Sequence, residues 1–218
     1  MLRAVFFDFG GVVLSSPFEA FNTYEETRGL PRDFIRRVNS ENPDSNAWAR
    51  LERSELSPTE FDEVFARESE ALGHRVPGAD ILSLLHGDIR PEMVRAIDTV
   101  KSHGYLTACL TNNVLSTPDD RSAPDDAKRK EIAAILERFD ALIESSKVGV
   151  RKPEPRFYEI ACATLAVEPT ECVFLDDLGI NLKPAAAIGM KTIKVTSAAQ
   201  ALRELSAHLE LDLSQMLS

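Results

Sequence analysis

Four short strand-like runs, each bounded by glycine or polar residues, constrain this chain more than any other feature. Ala4-Val5-Phe6-Phe7 stops at Asp8 and Gly10-Gly11. Tyr105 to Leu110 follows Gly104 and stops at Thr111-Asn112-Asn113. Cys172 to Leu175 stops at Asp176-Asp177 and Gly179, and Lys191 to Val195 follows Gly189. Short apolar runs between turn formers are the pattern of strands buried on both faces. Helical patterns lie between them, at Pro91 to His103, Arg129 to Phe139, Glu154 to Leu165 and Asn181 to Ile188. Such alternation predicts an α/β fold: a doubly wound parallel sheet covered by helices.

The stretch from Ser15 to Asp88 breaks the alternation. It has no strand-like run, and helical periodicity dominates. Ser57-Pro58-Thr59-Glu60 is a capping box with proline at the first helical position. It opens a helix that places Phe61, Val64, Phe65 and Leu72 on one face, and Ile81, Leu82, Leu84 and Leu85 suggest another. The expected organisation is an α/β core from residues 1–14 and 89–218, with a helical cap inserted at 15–88. Trp48, Phe18 and Phe21 fit a cap core, although Trp48 also suits substrate stacking and Phe18 and Phe21 a site entrance.

Charge narrows the partners. The 218 residues carry 25 Lys+Arg against 35 Asp+Glu, a net charge of −10. Nucleic acid and anionic membranes would be repelled on average, so neither is an expected partner. An anionic ligand must be held by local features. Cys109, Cys162 and Cys172 stand singly in apolar stretches, which predicts buried free thiols in a reducing compartment. The amino-terminal apolar run is too short for a signal peptide, and no stretch approaches membrane-spanning length, so the expected location is cytoplasmic.

Three of the runs deliver chemistry at their ends: Asp8, then Thr111-Asn112, then Asp176-Asp177. In parallel α/β sheets, ligands bind beyond the carboxyl ends of the strands, where the loops converge. Two or three carboxylates with backbone oxygens suit Mg²⁺, a hard ion that binds beside substrate phosphates. Lys152, in Gly149-Val150-Arg151-Lys152-Pro153-Glu154-Pro155, would be aimed by the flanking prolines and could neutralise a phosphoryl group's charge.

These residues carry a resemblance. Asp8-Phe9-Gly10-Gly11-Val12, Leu110-Thr111-Asn112, Lys152-Pro153 and Phe174-Leu175-Asp176-Asp177 resemble, in order, the four motifs of the haloacid dehalogenase-like hydrolases. In the carboxyl-terminal half, IESSKVGVRKPEPRFYEIA and VFLDDLGINLKPAAAIGMKTI look like the amino-terminal phosphatase domain of soluble epoxide hydrolases. They also resemble the related domain fused to certain acyl-CoA dehydrogenases. With the chain ending at Ser218, no epoxide hydrolase half is expected. The resemblance implies a covalent mechanism on a small phosphorylated metabolite, with Asp8 as nucleophile. Mg²⁺ would be held by Asp8, the Gly10 carbonyl and Asp177. The Thr111 hydroxyl and the Asn112 amide would bind phosphoryl oxygens and Lys152 would neutralise charge. Asp176 and Asn181 would orient these groups, although Asn181 also suits a helix cap before Leu182.

One position departs from the pattern. Most phosphatases of this superfamily carry an acid/base aspartate two residues after the nucleophile, where this chain has Gly10. Its absence predicts slow turnover, worst for poor leaving groups, unless substrate or cap supplies an acid. Gly10 is further expected to hold a backbone conformation that a side chain would strain. Two other readings stay open: a haloacid dehalogenase, which needs no metal, and a non-catalytic or regulatory module that binds a phosphorylated ligand or protein. His74 and His86, in the cap, are candidates for a replacement acid. His103 and His208 lie near helix ends, and His103 suits a partner of the helix dipole. The polar loop at 116–126 fits either a solvated connection or a mobile flap.

Overall fold

In the computed structural model, which describes residues 1–85, 87–112 and 126–217, β1 (Ala4–Phe7) lies at the centre of a parallel sheet. The described strands are completed by β2 (Leu106–Thr111), β3 (Ala141–Glu144), β4 (Cys172–Asp176) and β5 (Lys191–Lys194), in the order β3-β2-β1-β4-β5. The chain therefore builds outward on one side of β1, then crosses over and builds outward on the other. The reversal lies between β1 and β4, where a crevice opens at the carboxyl ends. Register pairs Phe7 with Leu175, and the Asp8 amide donates to the Leu175 carbonyl at 2.8 Å. Asp8 and Asp176 thus leave the sheet side by side.

Between Leu14 and Ile89 the chain forms five described α-helices. They are α1 (Phe18–Arg28), α2 (Phe34–Ser40), α3 (Ala47–Glu52), α4 (Pro58–Ala71) and α5 (Gly78–Ser83). The capping box is formed: the Ser57 hydroxyl accepts from the Glu60 amide, and the Glu60 carboxylate accepts from the Ser57 amide. Phe61 and Phe65 are buried, with Val64 and Leu72 packed around them. Phe21, Phe34, Ile35 and Leu51 join them in a core separate from those on the sheet. Trp48 meets Phe61 edge-on at 5.8 Å, Phe18 meets Phe21 at 6.1 Å, and His74 meets Phe34 at 5.2 Å. The two connections run side by side: Leu14 and Ile89 form an isolated antiparallel bridge, and the Ser15 amide donates to the Asp88 carbonyl.

The sheet is covered by α6 (Pro91–Ser102), α7 (Asp126–Leu136), α8 (Ser145–Val148), α9 (Pro155–Leu165), α10 (Gly179–Ala187) and α11 (Ala198–Leu209). Alternation along β1 divides the core. Val5 and Phe7 pack with Met93, Ile97 and Val100 of α6 and Leu202 and Leu205 of α11. Ala4 and Phe6 pack with Phe157, Tyr158 and Ala161 of α9 and Ala185 of α10. Strand β3 has four residues at the sheet edge, and its apolar run is only Ala141-Leu142-Ile143, with Ile143 and Glu144 buried, too short to stand out in the sequence. Helix α11 buries Ala198, Ala201, Leu202, Leu205 and Leu209 on one face, and Ser197 caps it. His103 caps α6, with Nδ1 2.8 Å from the Thr99 carbonyl oxygen, as its place at a helix end suggested. His208 lies in the last turn of α11. The three cysteines are buried and free. No described helix is long and apolar enough to cross a membrane. His86 and residues 116–125 of the polar loop lie outside the described residues.

The insert's own core makes a quantitative expectation. Phe61→Ala should lower the unfolding free energy by about 3–5 kcal/mol in urea denaturation. A loss below about 1 kcal/mol would show that the helices of the insert do not depend on that ring.

Candidate active site

Lys152 is 1% exposed, a burial that an ammonium tolerates only when paired. Its Nζ lies 2.7 Å from Asp8 Oδ1 and 2.8 Å from Asp176 Oδ2. Burial works against its charge, but Asp176 and Asp8 outweigh burial and hold its pKa above the ordinary lysine value. The Phe174 ring lies beneath it at 5.6 Å. Pro155 opens α9, and the Lys152–Pro153 bond is cis.

Asp8 follows β1 directly. Its Oδ1 also accepts from the Phe9 amide at 2.7 Å, so Oδ2 is the oxygen left for other chemistry. Asp176 is fully buried and committed on both oxygens: Lys152 to one, the Leu178 amide to the other, and the Asn181 amide to both at 3.0 and 3.1 Å. Asn181 lies in the first turn of α10, which begins at Gly179, so it is not the helix cap. Its carbonyl accepts the Tyr158 hydroxyl at 2.6 Å. Asp177 accepts only a hydroxyl from Ser16, at 3.1 Å, among the described side chains.

The carboxylates of Asp8, Asp176 and Asp177 offer oxygens within 4.8 Å of one another. Three carboxylates face one ammonium, a local surplus of two negative charges. Burial raises the pKa of Asp8 well above the carboxylate range; Lys152 opposes that, while Asp176 and Asp177 add to it. Burial and then the Asp176 charge raise that of Asp177. A hard divalent cation is the group this donor set fits, since it would cancel the surplus and needs oxygen ligands. Because Asp176 has spent both oxygens, Asp8 and Asp177 are the carboxylates free to hold it.

Thr111 ends β2, half-buried, and its hydroxyl has no hydrogen-bond partner among the described residues. The Asn112 side chain is used structurally: Oδ1 accepts the Lys152 amide at 2.8 Å, and Nδ2 donates to the Lys152 carbonyl at 2.9 Å. The expectation about Gly10 is corrected. Gly10 has φ −69° and ψ 135°, open to any residue, with nothing within 4 Å of a Cβ added there. The constraint falls on Gly11, whose φ is +76° and whose Cβ would lie 2.3 Å from Asp177 Cγ.

Sequence reasoning missed two residues. Ser16 follows the first connection and orients Asp177. Glu52, at the end of α3, is buried beside Asn112 and Arg151. Burial pushes its pKa up to about 7, against the Arg151 charge and the Trp48 N–H. No motif marks Glu52, because only the docking of the insert brings it to the strand ends. His74 is exposed, and its ring contact is with Phe34 of the insert.

Glu52 gives stability a pH dependence. Between about pH 4.5 and 7 the unfolded carboxylate has lost its proton while the folded one keeps it, so stability falls as pH rises. Glu52→Gln should remove that slope. The unfolding free energy of the wild type relative to the variant should drop by up to about 3 kcal/mol across this window. Urea titrations at pH 4.5 and 8 measure it, and parallel curves would place Glu52 in a more hydrated setting.

Known proteins share this arrangement of chain. A model of the haloacid dehalogenase-like hydrolases matches residues 2–189. Acyl-CoA dehydrogenase family member 10 of Mus musculus is 36% identical over 212 residues, which cover 95% of this chain and 19% of that protein. Bifunctional epoxide hydrolase 2 of Mus musculus is 36% identical, with 94% of this chain and 38% of the relative covered. The chain thus spans well under half the length of these relatives. Phosphatase MT3486 of Mycobacterium tuberculosis is 30% identical, with 91% of this chain and 89% of the relative covered. A HAD-family enzyme of Bacteroides thetaiotaomicron, solved in complex with magnesium and inorganic phosphate, shares the fold. Its TM-score is 0.61 at 18% identity, with 94% of this chain and 99% of that one covered.

Proposed function

Because this chain belongs to the haloacid dehalogenase-like hydrolases, we propose that it is a Mg²⁺-dependent phosphomonoester hydrolase working through an aspartyl-phosphate on Asp8. The observation that carries this reading is the grouping of Asp8, Asp176 and Asp177, the first two of them paired with the buried ammonium of Lys152. The phosphatase name of a relative matched along most of both chains supports it, as does the magnesium and phosphate complex of the structural neighbour.

Asp8 and Asp177, with the Gly10 carbonyl, would hold the cation, which supplies positive charge to draw a phosphate dianion toward a carboxylate. Asp8 Oδ2 attacks phosphorus, the phosphorus–oxygen bond to the alcohol breaks, and the alcohol oxygen takes a proton from water or substrate. Water then attacks the aspartyl-phosphate, releasing inorganic phosphate and restoring the Asp8 carboxylate. Lys152 keeps Oδ1 neutralised through both steps, so that the incoming anion does not meet an unscreened nucleophile. The Thr111 hydroxyl and Asn112 backbone amide are the donors proposed for the phosphoryl oxygens. Asp176, tethered by Asn181, holds Lys152 from behind. Residues 15–88 serve as a cap over this site, and 1–14 with 89–218 as its platform. The substrate is a small phosphorylated metabolite. A dehalogenase would need no cation, and the two surplus charges argue for one.

Phosphate release from a panel of phosphorylated metabolites, with Mg²⁺ and with EDTA, tests this reading. Asp8→Asn should abolish release at least about 10³-fold, since an amide cannot form the acyl-phosphate. Full activity in that variant, or release unaffected by EDTA, would refute the mechanism.

Gly10→Asp tests the missing acid. The open space and ordinary backbone at Gly10 admit the side chain without strain. The variant should hydrolyse alkyl phosphates faster, by up to about 10²-fold, and aryl phosphates less so, because aryl groups leave without protonation. No gain for any substrate in a folded, Mg²⁺-binding variant would mean that turnover was never limited by an acid at this position.

A further inference from the structure

Nothing in the proposed reaction uses Glu52, yet its carboxylate has partners in both the insert and the core. Oε1 accepts the Trp48 indole N–H at 2.9 Å. Oε2 accepts from Asn112 Nδ2 at 3.3 Å and pairs with Arg151 Nε at 2.6 Å. The two hydrogens of the Asn112 amide are therefore divided between Glu52 and the Lys152 carbonyl, while its oxygen takes the Lys152 N–H. Asn112 brackets the backbone of Lys152, and Glu52 fixes Asn112. From there the lysine side chain reaches Asp8 and Asp176.

The surrounding contacts run in the same direction. Arg151 Nη1 donates to the Pro43 carbonyl at 3.1 Å, and the Ser54 hydroxyl donates to the Ser146 carbonyl at 3.4 Å. Helix α3 and its flanks thus lie on the loop that carries Arg151 and Lys152. A buried carboxylate is costly without partners, so one held by two hydrogen-bond donors and by the Arg151 ion pair, from two parts of the chain, has a definite place.

We propose that Glu52 is a positioning residue: by fixing Asn112 and Arg151 it sets the backbone of Lys152, so that the ammonium meets the nucleophile only while α3 is docked. The kinetic part of this proposal rests on the hydrolase reading; the structural part does not.

The test compares Glu52→Met, which keeps volume and removes the acceptors, with Glu52→Gln, which keeps one acceptor for Asn112. Three quantities are measured in each: hydrogen exchange of the Lys152 backbone amide, Mg²⁺ affinity, and steady-state kinetics with an aryl and an alkyl phosphate. In Glu52→Met, exchange at Lys152 should accelerate about tenfold or more, and kcat should fall about 10–100-fold with KM nearly unchanged. Mg²⁺ affinity should hold, since Asp8 and Asp177 are untouched, and Glu52→Gln should recover most of the loss. Unchanged exchange at Lys152 in a folded Glu52→Met protein would overturn the proposal. So would a kinetic loss confined to alkyl phosphates, which would make Glu52 a proton donor to the leaving group. A wild type without phosphatase activity would refute the hydrolase reading, and the exchange measurement would still decide the coupling.

Discussion

The ion pair of Lys152 with Asp8 and Asp176 is the interaction on which the rest of the site depends. An ammonium this deeply buried is costly alone, and the Asp176 and Asp8 carboxylates outweigh that burial and hold Lys152 charged. The sheet supplies the acids by register, since β1 and β4 end level and side by side. The lysine comes from a different part of the chain and has to be brought in by its own backbone. Asn112, at the end of β2, performs that task by bonding both the amide and the carbonyl of Lys152. Three strand ends are thereby tied into one charge cluster, and none of the tethers is an apolar contact.

That cluster is not electrically closed. Asp177 stands outside the pair, its one hydrogen bond from a described side chain being that of the Ser16 hydroxyl, and its pKa is raised by burial and by Asp176. The place where the cluster is incomplete is also the place where Gly11 brings the backbone against Asp177. A glycine with positive φ in contact with a carboxylate is a constraint of shape, and it explains why the Gly-Gly pair has one free and one fixed member. Gly10 is the free one, so its identity is a matter of chemistry rather than of backbone strain.

The insert contributes in two physically different ways. Its aromatic core around Phe61 and Phe65 holds its own helices together without help from the sheet. Its contacts with the lysine loop are hydrogen bonds and ion pairs centred on Glu52, whose partners reach from both sides. An apolar joint would bind the parts by area alone, whereas a polar joint binds them only in a geometry where every donor is met. The insert is therefore able to influence the reaction centre while remaining a separate packing unit.

Much of this was legible in the sequence, and for a common reason. Strands β1, β2 and β4 are buried on both faces, so they read as continuous apolar runs, and the polar residues that end them stand out at once. Asp8, Thr111, Asn112, Asp176 and Asp177 could be picked that way because they are anchored by local chain. Strand β3 could not, because an edge strand of four residues, with a run of only three apolar ones, is too short to stand out. What tertiary structure alone decided is how distant side chains divide their bonds. Asn181 was open between helix cap and Asp176 partner, and the position of the α10 start settled it. Gly10 and Gly11 are identical in sequence, and only the approach of Asp177 tells them apart. Glu52 is one glutamate among many until α3 docks on the lysine loop. The sequence determines where the chain exposes chemistry, because burial imprints periodicity on neighbouring residues; which groups then meet is set by packing between segments far apart in the chain, which leaves no local trace.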